Sequence, residues 1–339
     1  MIRTEEVRIA SGNKVNRLYL KIWIPEGKVR AVLQISHGMV EHIGRYREMA
    51  EYLVQHGILV AGNDHIGHGK TVRSAAEWGY FTPAKSKTPA QTVLGDIERV
   101  RKYLVKRYPS VPYFLLGHSM GSFFARAYTM EHTQDLDGVI FAGTGSYPPI
   151  VMKAAKAGFS LAMKLKGDAY RSRLMAELFF KSNNRKIKNP ENRAAWQTTD
   201  VRRSREYLAD ELCQYVFTLN GYHTLLDSID LCESAELLKA KAKKDENNGC
   251  AGVRVVFFCG TEDPVGNYGK APRALYGRYR KMGCGDVKLV LFEGDRHEVF
   301  NERNRKRVYE RLTKCLDHWI REIEEGPKTP GAEAEFEKT

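Results

Sequence analysis

Hydrophobic positions along the chain fall into two alternating rhythms. Short continuous apolar runs occur at "AVLQIS" (31–36), "ILVAGN" (58–63), "YFLLG" (113–117), "GVIFAG" (138–143), "VRVVFF" (253–258) and "VKLVLF" (287–292). Runs of this length with no polar alternation predict strands covered on both faces. Between them, stretches over 45–56, 90–107, 120–132, 268–282 and 302–324 carry helical periodicity. Strands alternating with helices predict an α/β chain built on a mostly parallel central sheet flanked by helices, with right-handed crossovers. The opening "VRIASGNKVNRLYLKIWIP" differs: two β-like runs surround a Ser-Gly-Asn turn, which predicts an antiparallel hairpin.

The rhythm lapses between 146 and 232, where the chain turns helical, basic and irregular after the breaker "GSYPPI". An inserted helical cap over 146–232 accounts for the gap. It divides the core into a first part, 1–145, and a second part, 233–325, while the polar tail 326–339 has little to bury and is expected to be disordered.

A chain of 339 residues, 42% of them hydrophobic, can bury a large core. Its net charge of +13 would favour anionic surfaces. The basic residues are scattered, however, with no interleaved stacking aromatics, so nucleic acid is not an expected partner. The six cysteines, Cys213, Cys232, Cys250, Cys259, Cys284 and Cys315, form no C-x-x-C pair and are read as reduced thiols. The charged start "MIRTEEVRIASGNK" builds no signal-peptide core, and no run is long enough to span a bilayer. A cytoplasmic protein is expected.

The chemistry centres on "FLLGHSMGSF" (114–123), where Gly117, Ser119 and Gly121 stand at G-x-S-x-G spacing between an apolar strand and a helix. Glycines are needed there because a serine in a sharp strand-to-helix turn requires close backbone approach on both sides. That turn lifts the Ser119 hydroxyl clear of the sheet and sets the Met120 amide at a helix N-terminus, ready to donate to an oxyanion. A serine nucleophile needs a histidine base and an orienting acid. Asp263 in "GTEDPVG" and His297 in "GDRHEVF" follow two late strands, at the sheet edge where such sites assemble. Glu262 competes with Asp263 as the acid. The loop "SHGMVEH", with Gly38, offers the Met39 amide as the second oxyanion donor. "HIGHG" (65–69) lacks metalloprotease spacing, so neither a metal nor an organic cofactor is expected, and His65 and His68 read as loop residues beneath the site.

With these pieces assembled, the chain resembles the monoacylglycerol lipase and lysophospholipase-like group of the α/β-hydrolase superfamily. The resemblance is carried by "SHGMVEHIGRYREMAEYLVQHGILVAGNDHIGHGKT", "FLLGHSMGSFFAR", "AWQTTD", "YLADELCQYVFTLNGY", "GTEDPVGNYG" and "GDRHEVFNE". It implies the α/β-hydrolase fold with a helical cap, Ser119, Asp263 and His297 as the triad, and the Met39 and Met120 amides as the oxyanion hole. One departure is Ser122, which stands where the group often has a further glycine. The implied reaction is hydrolysis of a small-molecule carboxylic ester with an apolar acyl group, such as a monoacylglycerol or lysophospholipid. Short-chain or aryl esters, and amides, are the alternatives, with a non-catalytic binding protein behind them.

Within the cap, "IVMKAAKAGFSLAMKLK" places Val151, Ala155, Phe159 and Met163 at helical spacing among Lys153, Lys156, Lys164 and Lys166. This basic amphipathic helix is read as packing its stripe on the core, with peripheral contact with anionic lipid as the alternative. Phe159, Met163, Trp196, Phe217 and Tyr222 are the candidates to line a substrate pocket.

Overall fold

A computed structural model describes residues 2–241, 250 and 252–326, without the side chains of residues 179 and 180. The expected disordered tail beyond residue 326 and most of the lysine-rich connector lie outside the described residues. Eight strands, β1 (Arg3–Ala10), β2 (Arg17–Ile24), β3 (Ala31–Ser36), β4 (Ile58–Asn63), β5 (Tyr113–His118), β6 (Gly138–Ala142), β7 (Arg254–Gly260) and β8 (Val287–Phe292), form one sheet in the order β1-β2-β4-β3-β5-β6-β7-β8. The hairpin β1–β2 is antiparallel within itself and to β4, and every later pairing is parallel.

Side-chain alternation along the central strands feeds two apolar layers. In β5, Tyr113 and Leu115 enter the layer beneath α2 (Pro89–Arg107), α3 (Met120–Glu131) and α8 (Lys270–Lys281). Phe114 and Leu116 enter the opposite layer, beneath α1 (Arg47–Val54) and α9 (Arg305–Glu325). A run that is apolar throughout therefore serves both faces at period two. The last strand departs from expectation: β8 is half-buried along most of its length because it closes the sheet edge.

Four further helices follow: α4 (Pro149–Lys166), α5 (Arg173–Asn184), α6 (Val201–Ala209) and α7 (Leu219–Lys241). The last runs unbroken through residue 232, the expected edge of the cap. In α4 the inward residue is Met152, while Val151, expected in the packed stripe, is half exposed. Ala155, Phe159 and Met163 are partly buried. The outer faces of α4 and α5 expose Ile150, Leu161, Leu165, Leu174 and Leu178. Among the described residues, no helix is long and apolar enough to cross a membrane.

A buried charge cluster ties α7 to the sheet-side helices. The Arg126 guanidinium of α3, fully buried, donates to Glu236 at 2.7 Å, to Glu233 at 2.9 Å and to the Gly145 carbonyl at 2.6 Å. Arg278 of α8 reaches the same two carboxylates, at 2.6 and 2.7 Å. With every charge opposed and hydrogen-bonded, the cluster is a rigid joint whose parts depend on one another.

Candidate active site

The turn between β5 and α3 places Ser119 at φ 52°, ψ −122°, a conformation an L-residue adopts only under constraint. The constraint is steric fit between helix and sheet. A Cβ on Gly117 would lie 2.5 Å from the Gly121 carbonyl oxygen, and one on Gly121 would strike the carbonyl oxygen of Ser36 at the end of β3. Glycine at both positions lets α3 sit directly on the strand ends. Ser122, the departure from the resembling group, is accommodated: its buried hydroxyl donates to the Ser119 carbonyl at 2.6 Å.

Asp263 follows β7 and is fully buried, and His297 follows β8 and is 2% exposed. Asp263 Oδ1 lies 3.0 Å from His297 Nδ1 and also accepts the Val265 amide at 2.9 Å. His297 Nε2 is buried with no hydrogen-bond partner, and His297 borders the cavity that Ser119 also lines. Glu262, the competing acid, points outward with 57% of its side chain exposed, its carboxylate 3.8 Å from Arg296. The geometry therefore joins the histidine to Asp263.

Ser119, His297, Met39, Met120, Gly38 and Trp196 border one cavity of about 80 Å³. Its remaining wall joins apolar Val40, Phe123, Tyr147, Leu225, Ile229 and Val265 to polar Glu41, His118, Gln197, Tyr207 and Glu298. Of the five expected pocket residues, Trp196 alone lines it, with its ring 4.8 Å from the His297 ring. The other four do not border it. Phe217 is held in an aromatic cluster with His68, Phe81 and Tyr222 at 5.3–5.9 Å, and Tyr222 bridges it to Phe159 at 5.7 Å. Met163, further along α4, is only half-buried and lies outside the lining.

The loop 38–41 is strained and pinned. Val40 has φ 55°, costly for a β-branched residue. A Cβ on Gly38 would lie 2.7 Å from Glu41 Oε1 and 3.1 Å from Ser119 Cβ. Glu41 holds the loop by accepting the Gly38 amide at 2.5 Å, the Tyr46 hydroxyl at 2.9 Å, and Arg45 at 2.9 Å, with His118 Nδ1 at 3.0 Å. Arg45 also forks onto Glu298 at 2.8 and 2.7 Å. Burial pushes the Glu41 carboxyl up, but the His118 hydrogen bond and the charges of His118 and Arg45 hold it well below the usual carboxylate range. Burial likewise pulls His118 down, and its bond to Glu41 more than offsets this, leaving it raised. The carboxylate beside His118, the residue preceding the serine, therefore favours its protonated form, and the His118 ring lies 5.0 Å from that of His297. Sequence reasoning missed this network. The available signal was two carboxylates and an arginine flanking the glycine loop and the histidine, none of which announces a mutual contact.

His37, His65 and His68 cluster under the loop with ring separations of 4.3–6.4 Å. Burial lowers all three, His68 to about 3, so they are neutral spacers, with His65 bonded to the Ser36 hydroxyl. Ligand atoms of His42, Asp210 and Cys213 lie within 4.8 Å of one another. His42 Nδ1 accepts the Gly44 amide, so its Nε2 carries the proton and donates to Asp210 at 2.8 Å, which fits a hydrogen-bonded pair better than a metal centre.

Over 123 residues, 36% of this chain, it is 34% identical to monoglyceride lipase from Rattus norvegicus. That match spans 38% of the relative's length. A monoacylglycerol lipase of Mycolicibacterium smegmatis is 22% identical over 311 residues, covering 88% of this chain and 92% of the relative. The solved structure of a thermostable carboxyl esterase from Bacillus coagulans, in complex with glycerol, superposes with a TM-score of 0.82 at 25% identity, covering 94% of this chain and all of that one. The family described as "Serine aminopeptidase, S33" matches residues 27–304. The chain belongs to that serine hydrolase family and has the α/β-hydrolase fold.

Proposed function

We propose that this protein hydrolyses carboxylic esters with an apolar acyl group, of the monoacylglycerol kind, with Ser119 as nucleophile, His297 as base and Asp263 as the orienting acid. The observation that carries the reading is the strained Ser119 backbone on the wall of one small cavity together with His297, whose Nε2 is buried and unpartnered. His297 takes the hydroxyl proton through Nε2 as Oγ attacks the ester carbonyl, and Asp263 stabilises the resulting imidazolium across the 3.0 Å contact. The Met39 and Met120 amides receive the oxyanion, in a loop and a helix N-terminus that reorganise little. Collapse expels the alcohol with the proton from His297. Water, deprotonated by the same nitrogen, then releases the fatty acid and restores the serine.

The names of the rat and mycobacterial relatives support a glycerol ester. An aminopeptidase reading, suggested by the family's description, needs an unpaired carboxylate for the substrate amine. Both carboxylates on the cavity wall, Glu41 and Glu298, are already engaged by Arg45, and Glu41 by His118 as well. The cavity of about 80 Å³ is far below the roughly 300–1,000 Å³ of ligand-binding pockets, so acyl-chain entry requires it to widen.

The test is hydrolysis of p-nitrophenyl esters of increasing acyl length and of a monoacylglycerol, with Ser119→Ala as control. A rate rising to medium or long chains and lost in the variant supports the reading. Preference for acetate makes the protein a small-ester carboxylesterase, and turnover of amino-acid anilides with none of esters overturns the ester assignment.

A further inference from the structure

Two buried acceptors on the cavity wall have no hydrogen-bond partner, His297 Nε2 and the side-chain carbonyl Oε1 of Gln197. The first is accounted for by the proposed chemistry, and the second is not. Gln197 is only 5% exposed, so water does not routinely satisfy it. Its position is fixed from two sides. The Gln197 backbone carbonyl accepts the amide of Glu298, the residue after the histidine, at 2.6 Å. The neighbouring Trp196 ring lies against His297. Tyr207 borders the same cavity, and Gln197 Oε1 is left open.

The segment around it is equally anchored. Arg296 donates to the Ala195 carbonyl at 2.7 Å, the Thr198 hydroxyl donates to the Asn301 carbonyl at 3.0 Å, and the Thr199 amide donates to Glu302 at 3.0 Å. A rigidly held, desolvated acceptor is costly to leave empty, and a site containing one discriminates strongly for a ligand that fills it. The carboxylates nearby do not compete for that ligand, since both are saturated by Arg45 and its neighbours.

We propose that Gln197 is a specificity-determining residue that selects esters of polyhydroxy alcohols, its Oε1 accepting a hydrogen bond from a free hydroxyl of the alcohol half while the leaving oxygen lies at His297 Nε2. This rests on the ester-hydrolase reading above and deepens it, because it derives the class of alcohol from the cavity wall. An alkyl alcohol leaves the Gln197 carbonyl bare. A diol or glycerol fills it.

The experiment is a ladder of decanoate esters of propanol, 1,2-propanediol and glycerol, presented below their critical micelle concentrations to the wild-type protein and to Gln197→Met. In wild type, kcat/KM is expected to rise about 3- to 10-fold on adding the first free hydroxyl, as one neutral hydrogen bond supplies. In Gln197→Met the glyceryl-to-propyl ratio falls toward one, whatever the absolute rates. A merely structural role would lower all rates together and keep the ratio, which overturns the proposal. A wild-type protein that hydrolyses all three esters equally also overturns it, needs no variant, and leaves the ester-hydrolase reading standing. Failure to turn over any ester removes that reading and this proposal with it.

Discussion

Replacing Glu41 by Gln keeps the side chain's shape and removes the charge on which the loop 38–41 is pinned. One carboxylate oxygen accepts from Gly38 and Tyr46 and faces His118, and the other accepts from Arg45. A neutral amide must turn its NH₂ toward one of these sets of donors, and in either orientation it leaves His118 without its counter-charge while Arg45 keeps that of Glu298. Breaking a buried, hydrogen-bonded ion pair from one side costs about 3–5 kcal/mol. At about 2.1 cal/mol/K of unfolding entropy per residue, the 339-residue chain carries about 0.7 kcal/mol/K, so Tm should fall by about 4–7 °C. The pH dependence identifies the cause. Glu41 is depressed below its ordinary 4.5, so its contribution is present above that value and is lost as pH falls through the lowered pKa. His118 is raised above its ordinary 6.5, so its contribution is full below 6.5 and is lost as pH rises through the raised pKa. The Tm difference between wild type and Glu41→Gln should therefore be largest between 4.5 and 6.5 and narrow on both sides. Because the loop carries the Met39 amide, kcat should fall about 10-fold or more as well. Thermal melts across pH with parallel ester kinetics provide the assay. A Tm difference that is flat in pH, or a variant within 1 °C of wild type with full activity, would refute the reasoning.

Gly121→Ala should abolish soluble expression or activity, because its Cβ meets the Ser36 carbonyl that supports α3; a well-folded, active variant would contradict this packing, and circular dichroism with kinetics checks it. Arg126→Met should lower stability by about 3–5 kcal/mol in denaturant titrations, since Glu233 and Glu236 keep only Arg278 as a cation. The exposed Leu161 and Leu165, the latter 72% accessible, lie beside Lys164 and Lys166, so Leu161→Ser/Leu165→Ser should weaken sedimentation with phosphatidylglycerol vesicles about 10-fold or more; equal binding would remove lipid contact through α4.

Much of this fold was legible because its strands are chemically simple. In β5, four successive apolar residues serve two layers, and only a strand between two helical layers requires that. The serine turn was legible for a steric reason, as Gly117 and Gly121 are positions where no side chain fits. Tertiary choices were less visible. Phe217 and Tyr222 have the composition of pocket residues, but Phe217 packs with His68, Phe81 and Tyr222 in a separate cluster, while Leu225 and Ile229, on the helix that carries Tyr222, border the cavity. The network of Glu41, Arg45, His118 and Glu298 joins residues up to 253 positions apart, and no local spacing encodes such a contact. Gln197 was passed over for the same reason. Its open carbonyl matters only after the cap segment has been anchored against the histidine loop.

The most direct test of the central claim is covalent labelling with a long-chain fluorophosphonate, read by intact mass and peptide mapping. The account predicts a single adduct on the peptide bearing Ser119, slowed by His297→Ala and absent in Ser119→Ala together with all ester turnover. An adduct on another residue, or ester hydrolysis that survives Ser119→Ala, would contradict it.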